Sequence, residues 1–207
     1  RNFLNFINQF FVNISYQIKD IYLNSKYYDK KISKVGNNDL VYKPSPHLLS
    51  SLIKYQTKKI NINDISIDDL WDNKNFSLKD FKRLNNFYWF FSLDLKSSKE
   101  ASQSIIKKWI SYNHRYNQKS WDFDLTAKRI IAWLSCHHLT YEGSNQLYKK
   151  DFNKIIEKQT NHLVSEIDRS KSIDDKLIGC AAIILVGLCY NEKKKYLSYG
   201  LNTLKKI

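Results

Sequence analysis

Three side chains stand out for the chemistry they could perform: Trp121 and Arg129 in SWDFDLTAKRIIAWL, and Lys176 in SIDDKLIGC. An indole face stacks on the ring of a sugar, and a guanidinium pairs bidentately with a carboxylate or sulfate. A lysine neutralises a carboxylate as a point charge. The same residues also admit a structural reading, in which Trp121 plugs a seam between helices and Arg129 forms an ion pair with Asp122 or Asp124. Trp133 shares a helical stripe with Ile130 and Leu134 and reads as core. His137 and His138 beside Cys136 fit no zinc spacing, because adjacent helical positions point apart. The sequence carries no GxGxxG, Walker A, HExxH or nucleophile-elbow motif, so nucleotide-dependent and serine-nucleophile chemistry have no support, and no cofactor or metal is called for.

The elements that must position these residues are helical. Apolar residues at helical spacing predict a helix over about 98–113 (Ile105, Ile106, Trp109, Ile110) and one over about 123–139 (Ile130, Trp133, Leu134, His137). Two more follow over about 148–168 (Phe152, Ile155, Ile156, Leu163, Ile167) and 174–190. The last of these, LIGCAAIILVGLCY, is apolar on nearly every face and is expected to be central and buried. Ser172 and Asp175 have the spacing of a capping box at its start. A fifth helix over about 192–206 presents Leu197, Leu201 and Leu204. Short connections predict that sequential helices pack antiparallel as hairpins.

Before these helices, residues 1–34 read as a basic, aromatic-rich helical segment. Lys43-Pro44-Ser45-Pro46 marks an extended connection, and the alternation in KKININDISIDDLWD predicts one or two short strands near residues 58–70. The expected organisation is therefore a helical arm and connection over 1–57 and a helical domain over 58–207.

Of 207 residues, 43% are hydrophobic and 14% aromatic, which suffices for one sizeable core. Net charge is +14, a field that favours polyanionic partners. Lysines scattered among abundant Asn and Ile also fit a purely compositional origin. No nucleic-acid-binding motif is present, and basic charge alone gives only nonspecific attraction to nucleic acid. No run of about eighteen apolar residues exists to span a membrane. The three cysteines form no CxxC pair and read as small core residues. The chain begins at Arg1 and contains no Met, which reads as a fragment or a processed product.

The order of several motifs resembles the N-terminal helical region of the heparinase II/III-like proteins, a superfamily of polysaccharide lyases. The resemblance runs over about residues 60–200. Trp71-Asp72 precedes Leu84, Phe87, Trp89, Leu93, Asp94 and Leu95. Then come Trp121, Asp124, Arg129, Ile130 and Trp133, and finally the apolar run Leu177 to Leu188. The resemblance implies part of an (α/α) toroid and a bacterial protein, periplasmic or cytoplasmic. It implies β-elimination on uronic-acid-containing polysaccharide, with Trp121, Arg129 and Lys176 on the substrate.

Elimination needs neutralisation of the uronate carboxylate, a base for the C5 proton and an acid for the leaving oxygen. Family members begin the buried helix with Asn-His, whereas this chain has Asp175-Lys176 there. An ionised Asp cannot donate a hydrogen bond to a carboxylate. The helices bearing the family's Tyr and second His are expected beyond Ile207, so the fragment alone is expected to be inactive. Asn161-His162 is a literal Asn-His pair, but it lies one helix too early and is expected on a helix flank. The second reading is a non-catalytic, acidic-glycan-binding or envelope-associated protein on the same scaffold.

Overall fold

A computed structural model describes residues 14–33, 39–44, 77–93, 98–170, 172–190 and 194–207. The described residues are mainly helical and form no sheet; the strands expected near 58–70 lie outside them. After a helical stretch over 14–23 come α1 (Lys26–Ile32) and α2 (Leu78–Asn85), followed by a 3-10 turn, Tyr88–Ser92. The main body is α3 (Lys99–Asn113), α4 (Phe123–Ser135), α5 (His137–Thr140), α6 (Gln146–Glu166), α7 (Ile173–Cys189) and α8 (Lys194–Leu204).

Side-chain caps set several helix starts. Ser25, Ser98, Asn145 and Ser172 accept from the backbone N–H of Tyr28, Ala101, Tyr148 and Asp175, each satisfying a donor that the helix leaves unpaired. The single helix expected over 123–139 is broken at Cys136. There the Thr140 hydroxyl donates to the Trp133 carbonyl at 2.7 Å, and the Leu139 and Thr140 N–H groups both turn to the Cys136 carbonyl. A side-chain bond to the backbone has displaced continued α-helix.

The antiparallel packing expected from short connections is seen for α4 with α6 and for α6 with α7, while α3 and α4 make little contact with each other along their backbones. Arg129 meets Gln159 and Trp133 meets Phe152 across α4 and α6; Asn153 meets Tyr190 across α6 and α7. The closest approach is between α7 and α8. A Cβ on Gly187 would collide with the Leu197 backbone, and one on Gly200 would lie 2.6 Å from the Ile184 side chain. Only glycine lets these backbones come so near.

The centre of the molecule is α4, not α7. Ala127, Ile130, Ile131, Ala132, Trp133 and Leu134 are all buried, which takes in nearly the whole circumference of α4. The apolar run of α7 was expected to be enclosed on every side, yet Ile173, Leu177 and Leu188 are exposed. The helix packs against α4, α8 and the end of α6, which leaves the side bearing Leu177 and Leu188 open. Around α4 the Phe87, Trp109 and Phe152 rings pack on Trp133 at 5.0, 5.4 and 5.6 Å. Such aromatic pairs contribute roughly 0.5–1.5 kcal/mol each beyond area burial.

The described part of the N-terminal arm joins the same core, through Leu23, Tyr28 and Ile32. The extended residues 39–44 cross the end of α7, where the Val41 and Tyr42 N–H groups donate to the Cys189 carbonyl. Glu142 holds this segment by bonding Lys43 at 2.7 Å, with Lys99 at 3.8 Å and the His137 ring at 3.4 Å.

Candidate functional site

Trp121 and Arg129 are interior residues, 1% and 0% exposed, so neither meets a ligand face directly. The Trp121 ring lies over the α3–α4 connection, its Nε1–H donating to the Asn113 carbonyl at 3.0 Å. The Arg129 guanidinium stacks 4.0 Å from the Trp109 ring centre. It donates to the Asn85 carbonyl at 2.8 Å, the Thr126 hydroxyl at 3.2 Å and the Gln159 side-chain oxygen at 3.3 Å. The structural alternative also needs correction, because Asp124 bonds Lys128 one turn along α4 at 2.7 Å. Burial pulls the Arg129 pKa well below its ordinary value. An arginine starts from so high a pKa that it stays charged, and its partners and the indole stack offset part of the desolvation.

Lys176 lies elsewhere, half-buried in the first turn of α7. Its neighbour Asp175 has a carboxyl pKa raised by burial, with Asp124 and Asp122 adding repulsion. Asp175 therefore belongs to an acidic corner where α4 and α7 begin. The three sequence-derived site residues do not converge on one surface: two face inward and the third stands beside carboxylates.

Trp121 instead packs against a buried polar seam that joins the N-terminal arm to α6. His162 sits at its centre, 3% exposed, and not on a helix flank. Its Nε2 lies 3.1 Å from the Trp121 carbonyl, so that nitrogen carries the proton and donates. Nδ1 is then the acceptor for the Tyr28 hydroxyl at 2.7 Å. Burial lowers the imidazole pKa to about 4, which keeps the ring neutral and fixes this tautomer. Burial likewise raises the Tyr28 phenol, and it remains a donor. The neighbouring Asn161 donates to the Ile32 carbonyl at 2.8 Å and accepts from the Tyr196 hydroxyl at 2.6 Å. The Asn-His pair is a structural hinge pin between arm and body.

Lys158 lies one turn before His162 on α6, its side chain 5% exposed. Its ammonium donates to the Asp29 carboxylate at 2.5 Å and to the His114 carbonyl at 2.6 Å. Burial lowers the Lys158 pKa; Asp29 opposes that shift, while Lys154 and Arg115 reinforce it.

Sequence reading gave no hint of Lys158, Asp29 or Arg115. Lys158 and Asp29 lie 129 positions apart in a chain where lysine is common, and no spacing marks the pair. All three cysteines are free and buried, and burial pushes the Cys136 and Cys189 thiols up to about 12. They pack as small apolar groups. No known protein family, curated protein or solved structure matches this chain.

Proposed function

We propose that this chain binds acidic, uronate-containing polysaccharide, as the helical, substrate-holding portion of a heparinase II/III-like lyase. The observation that carries the polyanion part is the unbalanced charge. Thirty-four Lys and Arg face twenty Asp and Glu, and the carboxylates are shared. Glu166 bonds both Lys19 and Arg169, and Glu142 has Lys43 and Lys99 around it. These two acids are outnumbered locally, and with a net charge of +14 the overall field is positive and steers polyanions toward the molecule. The lyase part rests on the ordered motifs from Trp71-Asp72 to Leu188, with the (α/α) toroid as the proposed arrangement of the hairpins. Trp121 backs the Tyr116 ring from inside, Arg129 holds the core behind it without touching a ligand, and Lys176 offers its cation from α7.

The second reading, a binding protein without catalysis, is favoured by Asp175-Lys176 at the position of the family's Asn-His. The carboxyl of Asp175 repels a uronate when ionised. One experiment separates the two. Residues 1–207 and the full-length protein are titrated with polygalacturonate while ultraviolet absorbance of the unsaturated uronide is followed. The lyase reading expects binding by both and an absorbance rise with the full-length protein alone. Binding without any rise leaves the second reading, and absence of binding by either removes both.

A further inference from the structure

Between α1 and the α3–α4 connection lies a cavity of about 380 Å³, lined by Asp29, Lys26, Lys30, Arg115 and Tyr116 together with Leu23 and small polar residues. That volume lies within the size range of clefts that hold small ligands. We propose that this cavity binds one carboxylate- or sulfate-bearing sugar unit, with Lys26, Lys30 and Arg115 on the anion and the Tyr116 ring against the sugar face. The inference rests on the acidic-polysaccharide reading and gives it a place.

The electrostatics favour an anion. The one carboxylate in the lining, Asp29, is already engaged by Lys158 at 2.5 Å. With that charge paired from within, the exposed Lys26, Lys30 and Arg115 stand as three cations at the rim, while Asp20, Glu166 and Asp122 act on the Tyr116 wall from behind. An arriving carboxylate or sulfate meets the ammonium groups of Lys26 and Lys30 and the Arg115 guanidinium.

Both walls are held in place before a ligand comes. Arg115 and Tyr116 stand in a connection pinned by Asn117, whose side chain accepts from the Lys119 and Ser120 N–H groups, while its carbonyl accepts from that of Trp121. The Tyr116 ring packs 5.3 Å from His162 and 6.0 Å from Tyr28. On the other side, α1 is fixed by Tyr28 on His162 and Ser165, and by the Ser33 hydroxyl donating to the Asp29 carbonyl. Walls ordered in advance reduce the entropy lost on binding. Half-buried Tyr116 offers an aromatic surface that a phosphate or chloride site would not need.

The test compares Lys30→Glu/Arg115→Glu with a pair of equal charge change outside the cavity, Lys150→Glu/Lys205→Glu. Calorimetric titrations use polygalacturonate as the carboxylate probe, dextran sulfate as the sulfate probe and neutral dextran as the control. Circular dichroism and melting temperature check that each variant keeps the fold. The expected result is a loss of about tenfold or more for the cavity pair with at least one anionic polymer, against less than about threefold for the outside pair. The polymer that shows the loss identifies the anion. Equal losses for the two pairs overturn the cavity while the polysaccharide reading stands. No binding of wild type to either polymer overturns that reading as well. If a single-stranded DNA oligonucleotide binds wild type as tightly and loses as much with the cavity pair, the site is a general polyanion site and the sugar assignment fails.

Discussion

At the scale of single residues, the polar side chains in the interior have definite protonation states, and His162 gives the clearest consequence. Its imidazole titrates near 6.5 in an unfolded chain and at about 4 in the fold. Between those values the unfolded state binds the extra proton, so stability falls as pH drops from about 6.5 toward 4 and changes no further below. The full effect is about 3 kcal/mol. His162→Gln, which keeps a donor and an acceptor without a titrating ring, should flatten this part of the profile. Urea melts of both proteins at pH 7 and pH 4.5 check it; equal pH dependence in the two would exclude His162 as the source. Arg129→Ala is expected to cost about 3 kcal/mol, because it opens a cavity beside Trp109 and leaves the Asn85 carbonyl unpaired. Polygalacturonate affinity of the folded Arg129→Ala protein should match wild type. Weakened binding at unchanged stability would return Arg129 to the ligand.

The glycine contacts act at the scale of elements. Gly187→Ala places a methyl group on the Leu197 backbone, which cannot rotate away, and is expected to destabilise by about 2 kcal/mol or more. Gly143→Ala sits at φ +74° with open space around it, so it costs only the left-handed strain of about 1–2 kcal/mol. Thermal melts that show Gly187→Ala milder than Gly143→Ala would contradict the close α7–α8 packing. Much of this level was legible in the sequence. The stripes Ile105-Ile106-Trp109 and Phe152-Ile155-Ile156 lie on α3 and α6 as expected, and Ser172 caps α7 as its spacing foretold. The break at Cys136 was hidden, because the Thr140 hydroxyl that makes it belongs to a residue type tolerated inside helices. Enclosure of α4 instead of α7 was hidden too, since an apolar run says a helix can be buried without saying which neighbours are available. The seam of Tyr28, Asp29, Lys158 and His162 depends on contacts across more than a hundred residues, beyond any local pattern.

Charge and open apolar surface govern the molecule as a whole. Leu177 and Leu188 on α7 and Leu201 and Leu204 on α8 are exposed. Apolar stripes of this kind promote association, so residues 1–207 should sediment with increasing average mass as concentration rises, and Leu201→Lys should reduce the effect. Mass independent of concentration would count against it. No helix among the described residues is long and apolar enough to cross a membrane. The positive field remains the dominant whole-molecule property, and the central claim is that it serves an acidic polysaccharide. The most direct measurement is the affinity of residues 1–207 for polygalacturonate at low and high salt, beside neutral dextran. The account predicts saturable binding to the polyuronate that weakens steadily with salt, and none to dextran. Failure to bind the polyuronate at low salt, or equal affinity for dextran, would contradict it.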